Sequence, residues 1–287
     1  MAWEFNRHVE DKLIESLVKT DLWQEKLKED CEKGEVFLAI RNGYISFYYK
    51  GGGLFNFDIN GFSTHVKYAS VVDINDENAK KNYIYEDQLG KNMPLIKNFI
   101  SGYAQIKNNC KLHSGEEAIG VSDLLKKSTY LLSKESYLVI DIEIAFMDSN
   151  KKQDRIDILL YDTVSQTLRF VEAKHFTNKE IWSKSIPPVI GQLKKYEDQI
   201  ELFKKDIIDE YSRYFGCIKR IFNLQLPVPR KIDKKVSLVI FGFDEAQKLG
   251  DRFKELILGK PEYKGIPIYP IGNPKDLKAE SIWKRAQ

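Results

Sequence analysis

The amino-terminal third of the chain begins with a helical pattern and continues with short strand patterns. Apolar residues recur every three to five positions between Val9 and Leu22, which predicts a helix over about residues 4–32. Asn42-Gly43 lies between the first two strand patterns and is a strong hairpin signal. The strand patterns span residues 36–40, 44–49, 54–58 and 62–68. Together they predict an antiparallel β-meander module with a helix packed across it.

A second series of patterned elements follows a polar, lysine-rich connector from Val71 to about Asn109, in which 94–105 forms one short helical pattern. The predicted order is helix, three strands, long helix, strand, helix and strand. These elements span about residues 115–133, 137–147, 154–161, 167–176, 187–222, 236–243, 244–258 and 266–271. The predicted fold class is α/β, or α+β overall, with two domains at residues 1–108 and 109–287.

Composition narrows the class of protein. A hydrophobic fraction of 43% excludes wholesale disorder, and a net charge of +3 does not by itself indicate a nucleic-acid-binding protein. Basic residues outnumber acidic ones between Lys179 and Lys235, which suits either a polyanionic substrate or the solvated side of a helix. Three scattered cysteines form no zinc motif. Without a signal peptide or a membrane-spanning run, we expect a cytoplasmic protein with no membrane partner.

Two of the predicted strands carry a spaced set of charged residues. Asp157 lies in the first, and Glu172 and Lys174 lie in the second, across a polar turn at residues 162–166. Residues two apart on a strand share a face, so a β-hairpin would bring Asp157 beside the other two. A divalent cation relieves the repulsion between close carboxylates, and oxygen ligands suit Mg²⁺ or Mn²⁺. Lys174 would then orient or deprotonate a water, or stabilise charge on a phosphate.

The simpler alternative is that the Glu-x-Lys triplet belongs to a solvent-exposed strand face, where such triplets are common. The apolar residues Val171 and Ala173 between the charges favour a site instead. Downstream, Pro188 is suited to the first turn of the long helix. Gln192 and Tyr196 lie four residues apart and therefore share one face of that helix.

This set of residues resembles the PD-(D/E)xK, or restriction-endonuclease-like, nuclease superfamily, in particular the branch with a Q-x-x-x-Y motif. The resemblance covers about residues 114–243 and extends to the predicted αβββαβ order, although Ile156 stands where the family has proline. It implies a DNA-cutting nuclease. The implied roles are metal ligands at Asp157 and Glu172, a water-assisting Lys174, and site support or substrate contact at Gln192 and Tyr196. The neighbouring Lys194 and Lys195 belong to the basic stretch and are further candidates for substrate binding or site support.

A third metal carboxylate is also expected, since such nucleases often carry one on the helix before the first core strand. Glu117 is our choice, with a pure capping role behind Ser114 as the alternative. Glu143 competes, but a solvated strand face or a cross-strand salt bridge explains it more simply.

The leading hypothesis is a Mg²⁺- or Mn²⁺-dependent nuclease whose partner is nucleic acid, preferentially DNA. A second hypothesis is a catalytically silent nucleic-acid-binding or interaction protein on the same fold. A third is a nuclease gated by an activating partner in a bacterial defence system. A homodimer is a further hypothesis, because many such nucleases dimerise to cut both strands.

Overall fold

The computed structural model describes residues 5–69, 83–91, 96–132, 135–147, 153–183, 185–276 and 279–284. The fold is mixed α/β with two separate sheets, so the predicted class, α+β overall, is confirmed. The chain divides into two compact units. One contains residues 6–122 and 213–225, and the other contains residues 1–5, 123–212 and 226–287. The predicted boundary lies after residue 108, whereas the first unit continues to Ser122.

The first unit is built on a five-stranded antiparallel sheet whose strand order follows the chain. The strands are β1 (Phe37–Ile40), β2 (Ile45–Tyr49), β3 (Gly52–Asp58), β4 (Gly61–His65) and β5 (Tyr83–Tyr85). The predicted meander is confirmed, and β5 extends it from within the predicted connector. Residues 70–82 and 92–95 of that stretch lie outside the described residues.

Short helices accompany this sheet. They are α1 (Asp11–Leu17), α2 (Lys28–Glu32), α3 (Val66–Ala69), α4 (Tyr103–Leu112) and α5 (Glu116–Leu125), with a π-helical stretch at Trp23–Leu27 and a 3-10 stretch at Glu86–Lys91. The predicted helix over 4–32 is interrupted after Leu17, where the Thr20 hydroxyl donates to the Leu17 carbonyl at 2.7 Å. The fourth predicted strand is also shorter, because the chain enters α3 after His65.

The helix predicted at 94–105 is wrong in its position. Residues 96–102 form turns, and the helix begins only at Tyr103. A Cβ atom at Gly102 would lie 2.3 Å from Ile96 Cγ2, so the turn requires glycine there. Gly102 thus packs closely on Ile96 in the turn that precedes α4.

Aromatic side chains form the core of the first unit. Phe47, Phe55 and Phe57 are at most 1% exposed, and the Phe57 and Phe62 rings lie 4.7 Å apart. Phe55 also packs against Phe99, with ring centroids 5.1 Å apart. Most aromatic residues of β2 and β3 thus stabilise the core, as their β propensity favours.

A partly buried ion-pair cluster anchors α4. Lys107 Nζ lies 2.7 Å from Asp30 Oδ2 and 2.8 Å from Glu35 Oε2, and it lies 4.5 Å from the centroid of the Tyr49 ring. The Tyr103 hydroxyl donates to Asp30 at 2.7 Å. Because Lys107 is only 15% exposed, its charge depends on these partners.

We expect Lys107→Met to lower the free energy of unfolding by about 2 kcal/mol, because it leaves two partly buried carboxylates without their cation. The matched control is Lys33→Met, which removes the exposed Lys33–Glu29 pair and should leave stability unchanged. Urea denaturation measures both. Equal effects of the two substitutions would contradict a stabilising role for Lys107.

The second unit is built on a six-stranded sheet in the order β11-β10-β8-β7-β6, with β9 also paired to β8. Its strands are β6 (Tyr137–Met147), β7 (Gln153–Asp162), β8 (Thr167–His175), β9 (Lys231–Ile232), β10 (Ser237–Phe241) and β11 (Ile268–Ile271). Strands β6, β7 and β8 are antiparallel neighbours, whereas β10 pairs in parallel with β8 and with β11. β8 therefore lies inside the sheet, and its seven central residues are buried.

Helices follow β8 and β10. They are α6 (Pro188–Leu202), α7 (Lys204–Phe222), α8 (Glu245–Leu249), α9 (Asp251–Phe253) and α10 (Ala279–Lys284), with a π-helical stretch at Lys254–Leu258 and 3-10 stretches at Lys179–Ile181, Pro261–Tyr263 and Pro274–Asp276. The single helix predicted at 187–222 is divided at Phe203, whose φ and ψ are −112° and 19°. The helix predicted at 115–133 ends at Leu125. Within the described ranges, no helix combines the length and the apolarity needed to cross a membrane.

Candidate active site

The centre of the candidate site is the point where β7 and β8 separate. Their pairing runs from Asp162–Thr167 to Ile158–Val171 and ends there, which confirms the predicted hairpin. Asp157 is the next residue of β7, and its Oδ2 atom accepts a hydrogen bond from the Ala173 N–H at 2.7 Å. The Asp157 carboxyl group thus satisfies a backbone donor of β8 beyond the end of the ladder. It lies directly against the segment that carries Glu172 and Lys174.

Two charged side chains are buried on the same face of β8. Glu172 is 1% exposed and Lys174 is 7% exposed. Lys174 Nζ lies 2.9 Å from Glu172 Oε1 and 2.8 Å from Glu180 Oε2. Glu180 comes from the 3-10 turn Lys179–Ile181 and keeps 49% of its side chain exposed. Glu180 is not among the predicted site residues, because no periodic pattern links this short turn to β8.

The surroundings of Asp157 favour its neutral form. Burial raises the pKa of its carboxyl group, and the negative charges of Glu172 and Glu143 raise it further. The Ala173 N–H and the Lys174 ammonium oppose this rise only in part. The pKa of Asp157 is therefore well above its ordinary value of 3.8. Excess negative charge of this kind is what a bound cation would relieve.

Lys174 is held in its charged form. Burial by itself would lower the pKa of its ammonium group, but the charges and hydrogen bonds of Glu172 and Glu180 outweigh burial and raise it. A lysine with a raised pKa is a poor base. Of the roles considered for Lys174, orientation of a water and stabilisation of negative charge fit these surroundings better than deprotonation.

Glu143 is a further carboxylate near Asp157. Its two neighbours on β6 pair with the two neighbours of Asp157 on β7, so the two acidic residues occupy opposite positions. Glu143 adopts φ 51°, a left-handed conformation that costs a non-glycine residue about 1 kcal/mol or more. Its Oε2 atom lies 3.3 Å from Arg155 Nη1, so the expected cross-strand salt bridge is confirmed. Its position also makes it a candidate third carboxylate.

Glu117, our choice for that role, lies in the first turn of α5. Glu117 belongs to the first unit, which contains residues 6–122. Asp157, Glu172 and Lys174 belong to the second unit. The assignment of Glu117 as a metal ligand stays a prediction.

The glutamine–tyrosine pair on α6 is tied to the strand that carries Asp157. Tyr196 is fully buried, and its hydroxyl donates to the Arg155 carbonyl at 2.7 Å. Gln192 Nε2 in turn donates to the Tyr196 hydroxyl at 2.9 Å. α6 begins at Pro188, as predicted, which places both residues in its early turns. The pair therefore holds β7 two residues before Asp157.

Lys194 and Lys195 lie on the outer side of α6. Lys194 is exposed and Lys195 is half-buried. Together with Gly191, Asp198 and Leu202 they line a shallow depression on that helix. Contact with substrate at these two lysines stays a prediction.

The donor set suits a hard divalent cation. Asp157 and Glu172 both offer carboxylate oxygens, and after burial the charge of Glu172 is the next largest cause of the raised pKa of Asp157. Among the residues that the structure describes, no group of three or more His, Cys, Asp or Glu side chains is already arranged as a complete ligand set. Mg²⁺ commonly uses one or two carboxylates and fills its other positions with water and phosphate oxygens, so two adjacent carboxylates fit it.

Comparisons with known proteins add no relative. No protein-family model, no curated protein and no solved structure matches this chain. The chemistry of the site must therefore be argued from its own geometry.

We expect Asp157→Asn to raise the free energy of unfolding by about 1 kcal/mol at pH 8 in EDTA. With its pKa raised in the folded state, Asp157 contributes stability that is complete below its ordinary value of 3.8 and is lost as pH rises through the raised value. The advantage of the variant should shrink toward about pH 4. Mg²⁺ should stabilise the wild type but not the variant. Denaturation with EDTA or Mg²⁺ across this pH range measures both effects.

The exposed Asp198 provides the control, because Asp198→Asn should change neither the stability nor its dependence on pH. A variant Asp157→Asn that is less stable than the wild type at pH 8 in EDTA would contradict the electrostatic account of the site.

We expect Tyr196→Phe to cost about 1 kcal/mol of stability and to reduce the stabilisation by Mg²⁺, because β7 loses its hydrogen bond beside Asp157. Tyr161→Phe is a matched control. Tyr161 is also buried on β7, but its hydroxyl donates to the Pro227 carbonyl. The control should lose similar stability and keep the full shift of Tm with Mg²⁺. Equal Mg²⁺ shifts in the two variants would argue against a supporting role for Tyr196.

Proposed function

We propose that this protein is a Mg²⁺- or Mn²⁺-dependent nuclease that hydrolyses phosphodiester bonds, preferentially in DNA, in a cytoplasmic setting. The observation that carries the proposal is the contact of Asp157 with the Ala173 N–H, beside the buried Glu172–Lys174 pair. Two carboxylates and a fixed ammonium at one end of a hairpin are the groups that metal-dependent phosphodiester hydrolysis needs.

The arrangement of elements supports a restriction-endonuclease-like core. Helix α5 is followed by the antiparallel strands β6, β7 and β8, then by α6, and later by β10 in parallel with β8. The candidate residues lie on the elements that the resemblance assigns to them. This agreement of order with site supports the family more than the Glu-x-Lys triplet does.

In the proposed mechanism, Asp157 and Glu172 would hold the cation, with Glu143 as a candidate third carboxylate. A bound divalent cation supplies an activated water and polarises the phosphate. Lys174 keeps its proton and stabilises negative charge that develops on the phosphate oxygens. Tyr196 and Gln192 hold the backbone of β7, so that the Asp157 carboxyl group stays on the Ala173 N–H.

A second candidate function is a catalytically silent protein that binds nucleic acid. The observation in its favour is that Lys174 is already neutralised by Glu172 and Glu180. A partner that activates the site, as in a bacterial defence system, would reconcile this state with catalysis, and so would assembly into a homodimer.

The test is a cleavage assay on plasmid DNA, single-stranded DNA and RNA with Mg²⁺, Mn²⁺ or EDTA. We expect cleavage that requires the metal, is abolished in Asp157→Ala, and falls at least about 100-fold in Lys174→Ala. Asp198→Ala, at an exposed position of α6, should cleave as the wild type does.

Absence of cleavage together with absence of Mg²⁺ binding in calorimetry would refute the nuclease. Mg²⁺ binding that Asp157→Ala abolishes, without cleavage of any substrate, would favour the silent protein or the partner-gated nuclease.

A further inference from the structure

The two carboxylates that bind the Lys174 ammonium differ in their freedom to move. Glu172 lies within β8 and its side chain is 2% exposed, so it is fixed by the sheet. Glu180 reaches the same ammonium from outside the sheet, with 49% of its side chain exposed. Water screens the half-exposed Glu180 carboxylate, so its attraction to Lys174 is weaker than that of the buried Glu172. The contact between Lys174 and Glu180 is therefore the one that a competing anion can displace.

The backbone of the Glu180 turn is firmly held. Asn178 Oδ1 accepts the Glu180 N–H at 2.9 Å, and the Tyr263 hydroxyl donates to the Ile181 carbonyl at 2.9 Å. Trp182 Nε1 donates to the Phe176 carbonyl. Ile181 is fully buried. Displacement of Glu180 from Lys174 thus requires only rotation of one side chain and no movement of the turn.

The charges of the site indicate what would displace it. The two negative charges of ionised Asp157 and Glu172 would balance the two positive charges of a bound divalent cation. The Lys174 ammonium would then remain as one uncompensated positive charge. With the cation bound and no substrate present, Glu180, which already contacts Lys174, would cancel that charge. A phosphodiester group also carries one negative charge, and an ammonium binds phosphate oxygens as readily as carboxylate oxygens. Glu180 and a phosphodiester would together leave an uncompensated negative charge, so they are alternatives.

We propose that Glu180 occupies the phosphate position on Lys174 in the resting protein and leaves it when a phosphodiester of the substrate binds. The inference rests on the proposed function, because it names the group that Lys174 binds. Glu180 is a positioning residue in this scheme. It keeps the ammonium of Lys174 at the site in the absence of substrate, and it weakens binding by competing with the substrate.

The test measures binding apart from catalysis. Fluorescence anisotropy with labelled DNA and RNA oligonucleotides in Ca²⁺ compares wild type, Glu180→Gln, Lys174→Met and the double variant. We expect Glu180→Gln to tighten binding about two- to fivefold. It should add nothing in the Lys174→Met background, because its effect acts through that ammonium.

Glu201→Gln is the matched control. Glu201 is 55% exposed and pairs with Lys234 at 2.9 Å, so its loss removes the same charge from the same unit without touching Lys174. Its effect on Kd should be smaller than that of Glu180→Gln. Unfolding curves of all variants verify that each one folds.

An equal gain from Glu180→Gln and Glu201→Gln, or a gain that persists in Lys174→Met, would overturn this inference. Cleavage by the wild type would in that case still support the proposed nuclease activity. Tighter binding that depends on Lys174, without cleavage in Mg²⁺, would support the role of Glu180 and favour the silent protein or the partner-gated nuclease. If neither the wild type nor any variant binds an oligonucleotide, both the role of Glu180 and the proposed function are refuted.

Discussion

Buried charge on β8 is the constraint on which the second unit depends. This strand lies inside the sheet, yet Arg169, Glu172 and Lys174 are each at most 7% exposed. An unpaired charge in such surroundings costs several kcal/mol, so each of these residues requires a partner. Glu172 pairs with Lys174 on the same strand, whereas Arg169 and Lys174 also have partners from other elements. The neighbouring loops and helices therefore have to deliver those partners.

The two ends of β8 meet this requirement differently. Near its start, Arg169 Nη2 lies 2.8 Å from Asp233, and its guanidinium group lies 4.2 Å from the centroid of the Trp283 ring. These partners anchor the segment before β10 and the helix α10, which indicates a structural role. Near its end, the partners of Lys174 among the described residues are carboxylates, and one of them is half-exposed. An excess of negative charge beside a displaceable partner is typical of a functional site, not of a stabilising network.

Local patterns predicted the parts of the site that lie close together in the chain. The hairpin of β7 and β8 followed from two alternating runs and a short polar turn, and the pairing of Gln192 with Tyr196 followed from helical spacing. Glu143 and Glu180 were not chosen as site residues. Glu143 reaches Asp157 through the register of β6 on β7, and Glu180 reaches Lys174 through a single 3-10 turn. Neither relationship leaves a periodic signal in the sequence.

The sequence by itself determined the class of fold, the meander, the order of the elements around β8, and the residues Asp157, Glu172 and Lys174. It did so because helical and strand periodicity are local properties that apolar spacing records. Tertiary structure alone decided the break at Phe203, the start of α4 at Tyr103, and the charge state of the site. The charge state of the site depends on burial of charges that separate elements bring together. The energies of buried and interacting charges depend on distances in space, and the order of residues along the chain does not specify those distances.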